Sequence, residues 1–261
     1  MQNIDLIYAA GPAIITAVCL FLLVFWRSKR RLSRNALLYS LIAYSSAIAI
    51  KYIVQLLSFN AYNSLAGHNT VALGFYYGIQ TAFLEGGIAI LVAKFATGNG
   101  RLNSDDAEGY GLGLAFWENG VLLGIISLLV YFAYYTILSS GLQQAQTVYQ
   151  ILIAKQPELF YPLSKAIPLV AYSVLERISS IMAHFSWGLL AIFAVIYRKR
   201  LFVPLIFISG FMMDFLVPFS NILSFEVEEL LAFCISLLSL LSAFFAIKLM
   251  GINELKRQSN D

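Results

Sequence analysis

Charge is what this sequence has least of. Asp, Glu, Lys and Arg make up 12% of its 261 residues, while 60% are apolar. A soluble domain carries roughly 25% charged residues. A chain this apolar has no water-facing surface to set around a core, so its solvent is the bilayer. Cysteine is scarce too. Cys19 and Cys234 both fall in apolar runs and read as small buried hydrophobes, so neither a disulfide framework nor a thiolate metal site is expected. The positive residues lie in short clusters at the ends of apolar runs, which excludes a basic nucleic-acid surface. No repeat, low-complexity tract or separate soluble domain is visible, and residues 1–261 read as one domain. No Lys or Arg precedes Arg27. The first apolar run therefore lacks the positive start of a cleaved leader and reads as an uncleaved span, with Gly11-Pro12 kinking or capping its outer end.

Seven apolar runs remain, at roughly 6–26, 36–58, 71–95, 110–138, 167–197, 201–221 and 228–250. Each is long enough to cross about 30 Å of hydrocarbon, so the fold class is all-α and polytopic. Basic residues follow the first, third, fifth and seventh runs: Arg27, Lys29, Arg30, Arg31 and Arg34; Lys94 and Arg101; Arg198, Lys199 and Arg200; Lys248, Lys256 and Arg257. Those exits hold 13 of the 17 Lys and Arg residues. The alternate loops hold Lys155 and Lys165, with an acidic group at Glu226, Glu228 and Glu229. The positive-inside rule makes the odd-numbered exits cytoplasmic, which puts the N-terminus outside and the C-terminus in the cytoplasm. With no organellar targeting segment in view, a multi-pass protein of the plasma membrane is expected. The stretch from Ser139 to Lys165 mixes polar and apolar residues at helical spacing and predicts one short interfacial helix ending near Pro157.

A charged side chain in the hydrocarbon region costs about 2.5–3.5 kcal/mol or more. The chain nonetheless places Lys51, Glu85, Glu118, Glu176, Arg177, His184 and Asp214 inside its spans, and these mark the candidate site. Lys51 can snorkel or pair with an acid, and Glu176–Arg177 can be an internal ion pair. At about 1.5 Å per residue from the cytoplasmic charges, Glu85 and Glu118 lie about 12–13 Å deep, and His184 and Asp214 about 21 Å. That counting predicts two levels, a carboxylate pair and a deeper His/Asp pair. In the fifth run Arg177, Ile181 and His184 share one helix face, with Glu176 and Ser180 beside it, which makes a polar stripe on an apolar helix. Gly74-x-x-x-Gly78 and Gly120-x-x-x-Gly124 have the spacing of close helix packing in membranes.

In this order the features resemble the YhfC family of intramembrane proteases, distant relatives of the glutamate-type CAAX-processing endopeptidases. The resemblance covers most of the chain. The family's third-helix Phe-Glu-Glu-x-Gly-Arg motif stands here as Phe83-Leu84-Glu85-Gly86-Gly87-Ile88. Its Tyr-Gly-x-Gly-His-Gly-Gly-x-Glu motif stands as Tyr110 through Glu118, with Leu114 at the His position. Glu176, Arg177 and His184 keep the Glu-Arg…His motif, and Gly210 through Asp214 keep the Asp of a His-x-x-x-Asp motif without its His. The resemblance implies a Glu as general base and His groups that hold a water or metal and stabilise an oxyanion. Leu84, Ile88, Leu114 and Gly210 replace family positions.

Two readings follow from that pattern, and the replaced positions favour the first: a catalytically degenerate homologue that binds a transmembrane or lipidated peptide, or a hydrolase working with Glu85, Glu118, His184 and Asp214 while Glu176, Arg177 and Lys51 bind. No metal and no cofactor is expected from the residues themselves. The alternative from another class is a small transporter or channel component whose proton or solute path is lined by Lys51, Glu85, Glu118, His184 and Asp214. A retinal pigment is disfavoured, because the seventh run carries no deep lysine for a Schiff base; its Lys248 lies at the rim.

Overall fold

The computed structural model describes residues 3–65, 69–141 and 143–258; the side chains of Lys256 and Arg257 lie outside that description. No strand occurs among the described residues. Among the described residues, seven helices are long and apolar enough to cross a membrane: Leu6–Ser28, Arg34–Leu57, Thr70–Gly98, Ser104–Ser139, Leu163–Ile196, Phe202–Ser220 and Phe225–Leu249. They are called here the first to the seventh span. The protein is therefore a multi-pass integral membrane protein. Only helices that satisfy every backbone group internally can cross lipid without a closed barrel.

Local signals set the ends. Ser33 and Asn69 cap the second and third spans, their side chains accepting from the Ala36 and Ala72 backbone N–H groups. Asn103 and Asp106 form a reciprocal capping box at the start of the fourth. The first span opens as a 3-10 turn, Leu6–Ala9, and becomes α-helical at Ala10, just before Gly11-Pro12. The expected interfacial helix is present as Gln143–Lys155, followed by a 3-10 turn at Pro157–Phe160. It packs on the end of the fourth span, around Ile4, Tyr131, Leu138 and Leu152.

The fifth span is the axis of the bundle. Most of its apolar stretch is buried, whereas less than half of the apolar stretch of each other span is. It packs against the fourth, seventh, third, sixth and first spans. Leu189, Leu190 and Ile192 of the fifth span join Tyr110 and Ile206 in the central core. Phe21, Val24, Leu57, Phe95, Leu129 and Phe245 point outward, where lipid is their solvent.

Small residues allow the close approaches. Cβ atoms at Gly74 and Gly78 would come within 2.7 Å of the Phe215 and Phe211 carbonyl oxygens, so this pair seats the third span on the sixth. The Tyr-Gly-x-Gly stretch works the same way. Gly111 lies against the Phe185 carbonyl and Gly188 of the fifth span, Gly113 lies against Ser40 of the second, and the Tyr110 hydroxyl donates to the Ala89 carbonyl of the third at 2.8 Å.

Candidate functional site

Both membrane carboxylates of the third and fourth spans sit on π-helical stretches. Thr81–Gly86 carries Glu85, and Phe116–Ile126 carries Glu118. A π-helical stretch widens the turn and re-aims the side chains on it, and such segments are frequent at functional sites. Here both Glu side chains turn towards the fifth span.

They meet at one imidazole nitrogen. His184 Nε2 lies 2.9 Å from Glu118 Oε2 and 3.3 Å from Glu85 Oε2. The other ring nitrogen, Nδ1, lies 3.0 Å from the Ser180 backbone carbonyl. A carbonyl can only accept, so Nδ1 carries the ring proton and donates it there. Nε2 thus faces two carboxylate oxygens across a gap that a proton or a cation must bridge. The ring is held at its sides by Trp187, with centroids 4.6 Å apart, and edge-on by Tyr44.

Hydrogen bonds continue outward from this centre. Ser180 Oγ donates to Glu118 Oε2 at 3.3 Å and accepts from Asn119 Nδ2 at 3.0 Å. The Lys51 ammonium directs its three protons at Glu85 Oε1, Thr81 Oγ1 and Asp214 Oδ2, at 2.6, 2.9 and 3.0 Å. The Thr81 hydroxyl also donates to Asp214. Arg177 pairs with Glu176 and lies 3.9 Å from Glu118 Oε1. Four spans, the second to the fifth, and Asp214 of the sixth thus share one polar network around a cavity of about 250 Å3.

The expected residues are brought together, with one correction. Lys51, Glu85, Glu118, Glu176, Arg177, His184 and Asp214 all line the same cavity. The two depth levels do not exist as counted: Glu85 contacts His184, and Lys51 bridges Glu85 to Asp214. Counting from loop charges assumed a common starting depth, yet the fourth and fifth spans run 36 and 34 residues and the sixth 19. Two of the replaced motif positions lie near the centre. Leu114 lies beside Glu85 and His184, and a Cβ on Gly210 would meet Trp187 and Ala82.

Sequence reasoning missed Thr81, Tyr44 and Asn119, which are ordinary helix residues until their neighbours are known. It also read Glu228 and Glu229 as part of an acidic loop. Both line the cavity, and the Oε2 atom of each is buried without a hydrogen-bond partner among the described residues. The available signal was a pair of adjacent acids near the start of an apolar span.

A metal was not expected, yet the donor set fits one. Glu85, Glu118 and His184 each offer one ligand atom, all within 4.8 Å of one another. Ligands about 2.0–2.1 Å from a tetrahedral zinc stand about 3.3–3.4 Å apart, close to the 2.9 and 3.3 Å found around Nε2. The Nδ1–H donated to a backbone carbonyl is the usual outer contact of a metal-bound histidine.

The sequence model of one protein family, described as YhfC intramembrane metalloprotease, matches residues 14–233. No curated protein and no solved structure matches the chain.

Proposed function

The chain belongs to the YhfC intramembrane metalloprotease family, and from that premise we propose that it hydrolyses a peptide bond within the membrane at the Glu85–His184–Glu118 centre. One observation carries the reading: two carboxylates and one imidazole from three spans converge on a single nitrogen inside a polar cavity. Glu85, Glu118 and His184 would hold a divalent cation, which when bound supplies Lewis acidity towards a water and a scissile carbonyl. The chain's own groups do the rest. Among the described residues the donor nearest Glu118 Oε1 is Arg177, at 3.9 Å, which leaves this oxygen open to take a proton from a water placed beside it. Ser180 and Asn119 hold the other oxygen of Glu118 and fix its plane. Lys51 stands between Glu85 and Asp214, and its single positive charge offsets much of the repulsion between the two acids. Tyr44 and Trp187 pack against the His184 ring, and the Glu85, Glu118 and His184 side chains are only 10%, 17% and 6% exposed, which strengthens the contacts among them.

Loop charge supports an orientation with the N-terminus outside and the C-terminus cytoplasmic, and a plasma-membrane location is part of this proposal. The substrate class is a transmembrane or lipidated peptide able to reach the cavity from the bilayer. One observation favours a non-catalytic member that binds such a peptide: Lys51 donates to Glu85 Oε1 at 2.6 Å, which reduces the negative charge this carboxylate can offer a cation at its other oxygen. The test is cleavage of a panel of fluorogenic transmembrane peptides in proteoliposomes. Cleavage that falls at least 100-fold in E118Q and H184A supports hydrolysis. Binding of the panel with no cleavage by the wild type supports the non-catalytic reading and removes the hydrolytic one.

A further inference from the structure

One end of the cavity holds two carboxyl groups that the hydrolytic centre does not use. Glu228 and Glu229 open the seventh span and line the same cavity as Glu118 and His184. They are 9% and 4% exposed, and each leaves Oε2 buried without a partner among the described residues. The cations lining this cavity make their hydrogen bonds elsewhere, although Arg177 lies near enough to Glu229 to act on it through space. Lys51 donates to Thr81, Glu85 and Asp214, and Arg177 is paired with Glu176 beside Glu118. A buried carboxylate oxygen left without a donor is costly, and two adjacent ones form an arrangement that a cationic ligand would complete.

We propose that Glu228 and Glu229 form a subsite for the basic side chain of a Lys or Arg flanking the scissile bond in the substrate; this rests on the hydrolytic reading of the Glu85–His184–Glu118 centre. Neighbouring residues on a helix do not face each other, so the two carboxylates diverge and make a poor chelate for one small ion. A basic side chain suits them better: a guanidinium spreads five N–H donors along its planar fork, and an ammonium directs three N–H groups in different directions from one compact centre. The bond cleaved would lie at His184 and Glu118, with the substrate's basic residue towards the seventh span. The substrate class is thereby narrowed to membrane segments that carry a cation near one end.

The experiment uses fluorescent transmembrane peptides in which one Lys is moved along the sequence, each with a norleucine twin. Binding to the full-length protein in nanodiscs is read by anisotropy, and cleavage is read separately. At one Lys position the wild type should bind at least about tenfold tighter than the twin, as one charge-assisted contact provides. E228Q/E229Q should lose that preference and E228D/E229D should keep part of it. If melting shows the Gln variant to be unfolded, the Asp variant and the single E228Q and E229Q chains carry the comparison. Twins that bind alike at every position, or a preference that survives in E228Q/E229Q, would overturn the subsite. Cleavage of all peptides without a Lys preference in binding overturns the subsite alone. A Lys preference with no cleavage of any peptide keeps the subsite and removes the hydrolytic reading.

Discussion

Replacing Lys51 with Met takes away the ammonium that joins the second, third and sixth spans. Its three contacts lie at 2.6–3.0 Å. Glu85 is 10% exposed at the side chain and Asp214 is 31%. K51M therefore leaves two neighbouring carboxylates without their shared cation, one of them almost out of reach of water. Removing one partner of a buried pair costs about 3–5 kcal/mol. Partial hydration of Asp214 places this case near the lower end, about 3 kcal/mol. At about 2 °C per kcal/mol for a chain of this size, the expected drop in melting temperature is about 6 °C. The assay is thermal unfolding in nanodiscs followed by circular dichroism. K51M/D214N should recover roughly half of the loss, because one of the two stranded charges has gone. A K51M chain that melts within about 1 °C of the wild type would refute the charge network as the structure shows it.

Three further outcomes follow. S180A removes the hydroxyl that donates to Glu118 and accepts from Asn119; cleavage should fall about 10–100-fold, as for outer contacts of metal ligands, with melting little changed. In G188A the new Cβ would come within 2.8 Å of the Gly111 backbone nitrogen. Because backbone cannot step aside as a side chain can, a loss of about 2–3 kcal/mol is expected in the same unfolding assay. N3C should react with a membrane-impermeant maleimide in intact cells, while protection there with labelling in inverted vesicles would reverse the proposed orientation.

The spans were legible because the bilayer imposes a length, and the described helices begin and end within a few residues of the apolar runs. Lys51, Glu85, Glu118, His184 and Asp214 were legible as a set for an energetic reason: a membrane segment keeps an ionisable group only where something receives it. Their meeting point was not legible. It depends on the π-helical turns at Thr81–Gly86 and Phe116–Ile126, which no periodicity announces, and on spans of unequal length. The same inequality undid the depth count. Leu114 and Gly210, read against the family motif, suggested an emptied site. The structure places the remaining His184 between two Glu side chains instead, a donor set that one-dimensional motif counting does not display.

The most direct measurement of whether Glu85, Glu118 and His184 act as one centre is metal content after purification and zinc loading, by mass spectrometry of the protein in nanodiscs. One zinc per chain is expected in the wild type and in E108Q, whose carboxylate pairs with Arg31 outside the cavity. E85Q, E118Q and H184A should each retain little or none. Equal zinc in the wild type and H184A, or none in either, would contradict the account.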